Sequence, residues 1–349
     1  MKTTKRILEA VPARAVDEEG RPRFGAYLGL LEDSSLTGLV PELDRTGLDR
    51  VLQEKAWHFA AFTSARWVSG LAIVRLGYAA TGFFYLFDRQ ARKFLADVSM
   101  LGPPLLSARV ADRPGDGAES VFRMPGMHLS IVAPPGTGQY HVRARLSGER
   151  RPPIDLALEL ERGAAPEAVS AICPVRGRGS VHLTVKQVAL PVTGRLLVDG
   201  QPAELGPGPM GMLDYSHGYL DRQTRWMWAC GGMRDGRGQP LGLNLVAGFN
   251  QGLENAIWLG ERPLPVGEVH FRRGTDGPLA PWEIESDDGR VQLTFQPEGV
   301  RQDDRDVGPV ASHYVQPVGV FSGTLRGERG RKIQVRDLPG VTEEHDSRW

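Results

Sequence analysis

Cysteine is almost absent from this sequence. The 349 residues include only Cys173 and Cys230, and no CxxC pair occurs. A thiolate metal site and a scaffold stapled by disulfides are therefore not expected. The eight histidines are scattered along the chain, and we predict no metal site.

An excess of charge of either sign is also lacking. Lysine and arginine together number 42, and aspartate and glutamate together number 42, so the formal net charge is zero. Proteins that bind nucleic acids normally carry a basic excess that faces the phosphates. We therefore predict no nucleic-acid partner.

Long hydrophobic runs are missing as well. No apolar segment approaches the roughly 18 residues that a membrane-spanning helix needs, so no integral membrane segment is predicted. The first residues are basic, but Glu9, Arg14 and Asp17 interrupt any apolar run behind them. We therefore predict no signal peptide and a cytoplasmic location.

Common catalytic and nucleotide-binding signatures do not occur. The sequence has no G-x-S-x-G, no H-E-x-x-H and no P-loop. One dinucleotide-like match, 206–211 (GPGPMG), contains two prolines. Since proline lacks the N–H group that a pyrophosphate would need, we do not expect this segment to bind a dinucleotide. With no other signature present, we predict no cofactor.

Glycine and proline, by contrast, are abundant. The 43 glycines and 26 prolines make up about a fifth of the chain, which is typical of turn-rich β proteins. Thr46 and Asp49 have the spacing of a capping box, which predicts a short helix over 46–55. Other segments alternate with a period of two. The predicted strands are 57–63, 71–78, 82–88, 128–133, 140–147, 154–161, 180–186, 194–199, 224–231, 240–248, 254–260, 266–272, 291–296, 312–326 and 332–337.

This rhythm predicts a mainly β fold built as sandwiches or barrels. The glycine- and proline-rich segment 200–211 predicts a domain boundary, with β-rich domains over 1–205 and 206–349. The charged tail, 341–349, is predicted to be exposed.

The segment 211–260 carries an unusual concentration of polar and aromatic residues. The only three asparagines of the chain, Asn244, Asn250 and Asn255, fall within twelve residues of one another. Three of the seven tryptophans, Trp226, Trp228 and Trp258, also lie here. Aromatic planes edged by a few polar groups are typical of ligand sites.

Strand geometry sorts these side chains into faces. On a strand through 224–229, Trp226 and Trp228 share one face, and on a strand through 254–258, Glu254 and Trp258 do the same. Paired tryptophans also occur in ordinary cores, and Asn250 and Asp214 fit turns. Taken together, however, the cluster favours a ligand site.

Several motifs resemble a bacterial family of unknown function, domain of unknown function 2804. They are 213–218 (LDYSHG), 222–228 (RQTRWMW), 242–245 (GLNL), 254–258 (ENAIW), 55–59 (KAWHF), 77–79 (GYA), 83–88 (FFYLFD) and 316–323 (QPVGVFSG). This resemblance covers nearly the whole chain and does not specify an activity.

A more distant similarity is to the tandem lipocalin-like proteins of the carotenoid 1,2-hydratase type, which include cyclase relatives. It is carried by an Asp–aromatic–x–x–Gly turn, Asp214 to Gly218, ahead of Trp226 and Trp228. The similarity implies two lipocalin-like β-barrel or sandwich halves around an apolar cavity. It further implies that Asp214 donates a proton to a C=C bond, assisted by Tyr215 or His217.

The leading prediction is therefore a cofactor-independent lyase, isomerase or cyclase that acts on a hydrophobic small molecule by acid–base chemistry. Burial raises the pKa of a carboxyl group, which keeps it a proton donor near neutral pH. A non-catalytic carrier of a lipophilic ligand and a glycan-binding module remain open alternatives. The predicted ligand-binding residues are Arg222, Trp226, Trp228, Asn244, Glu254, Asn255 and Trp258.

Overall fold

The computed structural model describes residues 7–148, 151–307 and 310–349. The basic start of the sequence, 1–6, lies outside the described residues. The described chain is mainly β, and its strands form two barrel-like sheets, one nearly closed and one a half-barrel. The predicted fold class is confirmed.

Two short α-helices are found in the described ranges, α1 (Gly47–Gln53) and α2 (Pro104–Ser107). The first confirms the predicted helix over 46–55. Thr46 is its N-cap residue, but the Thr46 hydroxyl makes no cap hydrogen bond. The apolar face of this helix does not enter the core, because its residues Leu48, Val51 and Leu52 are exposed.

The first sheet runs in the order β6-β5-β4-β3-β15-β13-β11-β10-β9-β8-β7, with β1, β2, β12 and β14 attached beside it. Its strands are β1 (Glu9–Ala10), β2 (Gly25–Leu28), β3 (Glu54–Thr63), β4 (Trp67–Leu76), β5 (Ala79–Asp88), β6 (Lys93–Gly102), β7 (Ala108–Arg109), β8 (Glu119–Met124), β9 (Met127–Val132), β10 (Gln139–Leu146), β11 (Ile154–Glu161), β12 (Val169–Pro174), β13 (Val181–Val198), β14 (Gln201–Ala203) and β15 (Met210–Tyr219). Because β7 and β8 pack back against β4 and β5, the sheet nearly closes.

The second sheet runs in the order β19-β18-β17-β16-β24-β23-β22-β21-β20. Its strands are β16 (Gln223–Arg234), β17 (Pro240–Ala247), β18 (Ala256–Leu259), β19 (Pro263–Pro265), β20 (Val269–Arg273), β21 (Trp282–Ser286), β22 (Val291–Val307), β23 (Val310–Arg326) and β24 (Lys332–Arg348). All its neighbouring strands are antiparallel.

The two sheets bury apolar side chains inside each barrel and also between the barrels. Strand β3 shows the reason: Ala60 and Phe62 point into the first barrel, whereas Phe59 and Ala61 join a core between the sheets. A strand that is covered on both faces reads as a continuous apolar run, as residues 59–62 (FAAF) of β3 do. The core between the sheets also contains Trp228 and Trp258.

Two glycines of the second sheet allow its close approach to β13. A Cβ at Gly232 would lie 2.7 Å from the backbone nitrogen of Ala189, and one at Gly242 would lie 2.6 Å from a methyl of Val188. At this point β13 has a bulge, and Ala189 takes a positive φ of 53°. Bulges re-aim neighbouring side chains, and the close approach fixes β13 against the second sheet.

Three local predictions differ from the structure. The tail 341–349 is not an exposed segment, because 341–348 form the end of β24 between β16 and β23. Asp214 lies within β15 and not in a turn. The strands predicted at 180–186 and 194–199 are parts of one long strand, β13.

The chain passes from the first sheet to the second at 220–222. The segment 204–209, rich in glycine and proline, connects β14 to β15 within the first sheet. The division into folding domains at 205/206 stays a prediction.

Candidate functional site

A cavity of about 290 Å³ lies between the two sheets. Strands of both sheets supply its walls, so neither sheet alone forms it. Most of the lining surface is apolar or aromatic, although about half of the lining residues have polar side chains. Those that carry charge or a titratable group are His182, Lys186, Asp214, Glu254, Arg301, Asp303, Tyr314, Glu343 and His345.

One buried lysine contacts two carboxylates, one on its own sheet and one from the segment before β18. Lys186 on β13 and Asp214 on β15 are direct cross-strand partners, which places both side chains on one face of the sheet. The Lys186 Nζ lies 2.7 Å from Asp214 Oδ1 and 3.1 Å from Glu254 Oε2. Burial alone would lower the pKa of Lys186, but these two carboxylates outweigh it and raise the pKa. Lys186 therefore keeps its proton.

Two of the three asparagines fix the position of Glu254. Asn250 Nδ2 donates to Glu254 Oε1 at 2.5 Å, and Asn244 Nδ2 donates to Glu254 Oε2 at 3.2 Å. Asn244 in turn accepts a 2.8 Å hydrogen bond from Trp228 Nε1. A buried polar group without a partner costs about 1–3 kcal/mol, and this network leaves Glu254 fully engaged.

A third carboxyl group, that of Glu343, lies on β24 of the second sheet. Glu343 Oε1 accepts a 2.7 Å hydrogen bond from Trp226 Nε1, and Oε2 accepts one of 2.9 Å from Gln316 Nε2. Burial raises the pKa of Glu343 to about 7, with a smaller contribution from the Asp214 charge, and the hydrogen bonds act in the other direction. Near neutral pH this carboxyl group is thus present in both protonation states.

Arg301 is the second cation of the cavity. Its guanidinium lies over the rings of Phe83 and Tyr85, 4.3 Å and 4.9 Å from their centroids. Its Nε donates to Asp97 Oδ1 at 3.0 Å, and NH1 donates to the Tyr314 hydroxyl at 3.0 Å. The cation is therefore both stacked and paired.

Aromatic rings stack along the wall between these polar groups. The ring centroid of Trp57 lies 5.4 Å from that of His182 and 6.2 Å from that of Trp226. The rings of His345 and Trp226 form a nearly parallel stack with 4.0 Å between their centroids. Burial lowers the pKa of His182 and His345 to about 3. These two imidazoles are therefore neutral near pH 7 and extend the apolar wall.

The structure brings four of the predicted site residues to the cavity, and Asn244 supports one of them. Those at the cavity are Asp214, Trp226, Trp228 and Glu254. The predicted common face of Trp226 and Trp228 is present on β16. Strand β17 lies between β16 and β18, so the two tryptophan-bearing strands are not neighbours.

The other predicted residues lie elsewhere. Tyr215 and His217 point to the opposite face of β15, where Tyr215 Oη donates to the Ala111 carbonyl and His217 contacts Glu54. Asn255 bonds the backbone of Val246 and Gly267. Trp258 is in the core and donates to the Glu167 carbonyl. Arg222 lies in the connection between the sheets.

Several residues of the site escaped sequence reasoning. Glu343 and His345 lie in the tail that was predicted to be exposed, and Lys186, Arg301 and Trp57 lie in strands far apart in the sequence. One signal is present in the sequence. Val341, Glu343 and His345 are spaced two residues apart, as side chains on one face of a strand are, but the charged residues around them obscure this period of two.

No group of three or more His, Cys, Asp or Glu side chains that could hold a metal ion is present among residues 7–148, 151–307 and 310–349. In the same part of the chain, none of the helices has the length and hydrophobicity needed to cross a membrane.

Solved structures with similarity to this chain share little sequence with it. An AttH-type protein from Nitrosomonas europaea is 13% identical, with 88% of this chain and 98% of that chain covered and a TM-score of 0.47. CghA with Sch210972 is 8% identical, with 92% and 98% covered and a TM-score of 0.45. Kievitone hydratase from Nectria haematococca is 10% identical, with 93% and 98% covered and a TM-score of 0.44.

None of the curated proteins matches the sequence significantly. The model of one family, described as a domain of unknown function, DUF2804, matches residues 8–349. The motifs that resemble this family in the sequence contribute Asp214, Trp226, Trp228 and Glu254 to one cavity. The chain belongs to the DUF2804 family.

Proposed function

We propose that this protein is a lyase, isomerase or cyclase of the hydratase type, which converts a hydrophobic small molecule in the cavity by acid–base chemistry. One observation carries the proposal: Glu343 and the Lys186–Asp214 ion pair face the same largely apolar cavity from two different sheets. Two carboxyl groups in different environments can serve as acid and base in one reaction.

Glu343 is the proposed proton donor. General acids work best when their pKa lies near the operating pH, and burial places the pKa of Glu343 at about 7. Its neighbours Trp226 and Gln316 hold the carboxyl group in a fixed orientation. The proton therefore has a defined position relative to a molecule in the cavity.

Asp214 is the proposed partner of Glu343. Its Oδ1 contacts Lys186, Thr184 and Ser216, whereas among the described residues the polar contact of Oδ2 is a 3.5 Å one with Trp57 Nε1. Oδ2 is thus the less engaged oxygen, and it suits the acceptance of a proton or the stabilisation of positive charge. This assignment gives Asp214 the role of base, where the sequence predicted a donor.

The aromatic wall supports such chemistry. A positive charge that develops on the substrate is attracted to the faces of Trp57 and Trp226 by about 0.5–2 kcal/mol for each ring. These rings also supply the apolar contact area that a hydrophobic ligand needs. The wall therefore contributes both to binding and to the reaction.

The proposal is tested by following protons from solvent. The purified protein is extracted with organic solvent, and the retained compound is identified by mass spectrometry and incubated with fresh protein in D₂O. If the preparation holds no compound, a panel of hydrophobic polyenes and phenolics replaces it. We expect a product that carries deuterium on carbon, and none with Glu343→Gln. Conversion by Glu343→Gln at the wild-type rate would remove Glu343 from the mechanism.

A non-catalytic carrier is the second candidate, because the Lys186, Asp214 and Glu254 cluster is satisfied by the protein's own groups without a ligand. A carrier would bind the extracted compound without deuterium incorporation, and Glu343→Gln would leave its affinity unchanged.

A glycan-binding module needs an exposed aromatic platform. Trp228 and Trp258 are buried, which counts against this alternative.

A further inference from the structure

The charged groups that line the cavity are unbalanced. Among the described lining residues, the carboxylic acids outnumber the permanent cations by four to two. The acids are Asp214, Glu254, Asp303 and Glu343, and the cations are Lys186 and Arg301. The two lining histidines add no positive charge near pH 7, because burial lowers the pKa of each to about 3.

Lys186 is already paired with two carboxylates. Its ammonium contacts Asp214 and Glu254, and it lies 5.7 Å from the centroid of the Trp228 ring. A ligand carboxylate at this point would compete with two carboxylates already in place. Like charges at such short separation repel strongly in a buried site.

Arg301 is engaged in the same way. Four of its five N–H groups reach Asp97, Tyr314, Gln316 and Ser99 at 3.0–3.5 Å. Asp97 does not line the cavity, and its side chain is 34% exposed. The salt bridge from β6 to β22 therefore neutralises Arg301 from outside the cavity.

We propose that the cavity selects uncharged hydrophobic molecules and discriminates against carboxylates, with Asp97 as the specificity-determining partner of Arg301. This inference rests on the proposed function, since it names the substrate class of the same cavity. A carboxylate that enters must leave water without finding an unoccupied cation among the described lining residues, and such a transfer is unfavourable.

The test compares two probes with the same alkyl chain, decanol and decanoate, at neutral pH. Binding to the full-length protein is followed by quenching of tryptophan fluorescence and confirmed by calorimetry. We expect decanoate to bind at least about tenfold more weakly than decanol, since an unpaired buried charge is costly. Equal affinities would overturn the charge selectivity and leave the acid–base proposal intact. Failure of both probes to bind would overturn the selectivity and count against the proposed function as well.

A gain-of-binding variant tests the role of Asp97 directly. Asp97→Asn removes the partner of Arg301 and should strengthen decanoate binding by about tenfold or more, because the guanidinium can then pair with the ligand. The matched control is Asp155→Asn, which breaks a salt bridge with Arg145 outside the cavity, from an aspartate side chain that is 30% exposed. An equal gain in both variants, or no gain in Asp97→Asn, would overturn the assignment of Asp97.

Discussion

Trp226 Nε1 donates a 2.7 Å hydrogen bond to Oε1 of Glu343, and the same indole ring stacks on His345 with 4.0 Å between ring centroids. One side chain therefore forms part of the cavity wall and also lowers the pKa of the buried carboxyl group. Substitutions at this position should therefore separate the proposed ligand binding from the proposed proton transfer, depending on whether they remove the ring or only its N–H group.

Replacement of Glu343 should change the pH dependence of stability. Burial raises the pKa of Glu343 from 4.5 to about 7 in the folded state. The carboxyl group therefore favours folding fully below about pH 4.5, and this contribution is lost as the pH rises through about 7. The glutamine of Glu343→Gln cannot ionise. The free energy of unfolding of this variant minus that of the wild type should therefore rise by about 3 kcal/mol as the pH increases from about 4.5 to about 7. Urea denaturation across this range measures the difference.

The control for this experiment is Glu344→Gln. Glu344 is the next residue on β24, its side chain is 48% exposed, and it lies 3.5 Å from Arg273 NH1. This variant should follow the wild type at every pH. A Glu343→Gln curve parallel to that of the wild type would show that Glu343 titrates as an ordinary glutamate.

Trp226→Phe should raise the pKa of Glu343 further. The hydrogen bond from the indole favours the ionised carboxylate, and phenylalanine keeps an aromatic ring but cannot donate. The titration of the Glu343 carboxyl carbon by NMR measures this shift. Trp228→Phe is the matched control, because the indole of Trp228 donates to Asn244 and not to Glu343. An unchanged titration in Trp226→Phe would contradict the proposed tuning.

The short-range part of this structure was predictable from the sequence. Alternation placed Trp226 and Trp228 on one face of a strand, and both line the cavity. The glycine and proline content indicated the β class. These inferences depend on neighbours within one strand, for which the period of two is sufficient.

The long-range part was not predictable in this way. Lys186 meets Asp214 because β13 and β15 are paired, and Glu343 meets Trp226 because β24 closes beside β16. Neither pairing leaves a signal in a single sequence. Asp214 was interpreted as a turn residue since Ser216 and Gly218 resemble turn chemistry, but antiparallel pairing with β3 and β13 extends this segment.

Lys186→Met should destabilise the fold by about 3–5 kcal/mol, because it leaves buried carboxylates without a cation. A triple variant that also contains Asp214→Asn and Glu254→Gln should recover most of this loss, since no charge then remains in the cluster. Chemical denaturation at neutral pH gives both values. If the triple variant were as unstable as Lys186→Met alone, the loss would come from packing and not from charge.

Asp214→Asn should reduce turnover by roughly 10²–10⁴-fold with little change in ligand binding. Trp226→Ala should instead weaken binding, because it removes apolar contact area. Steady-state kinetics with the compound identified by extraction separate the two effects. Tyr215→Phe serves as the control on the opposite face of β15, and an equal loss of turnover in Tyr215→Phe would contradict the assignment of Asp214.

The predicted domains 1–205 and 206–349 should not fold independently. A cut at 205/206 separates β15 from its partners β3 and β13, and a cut at 220–222, between the sheets, exposes the apolar core between them. A large exposed apolar surface promotes aggregation. Separate expression of the two segments tests this, and two soluble segments with cooperative unfolding transitions would contradict it.

Strand β24 carries Glu343 and His345, and Trp349 directly follows the strand. These three are the last cavity-lining residues in chain order, and they include the proposed acid. During synthesis on the ribosome, Lys186, Asp214 and Glu254 all emerge before this strand does. Under the proposed assignment, the cavity gains its acid only when β24 lies between β16 and β23, because chains that end before residue 343 lack this carboxyl group.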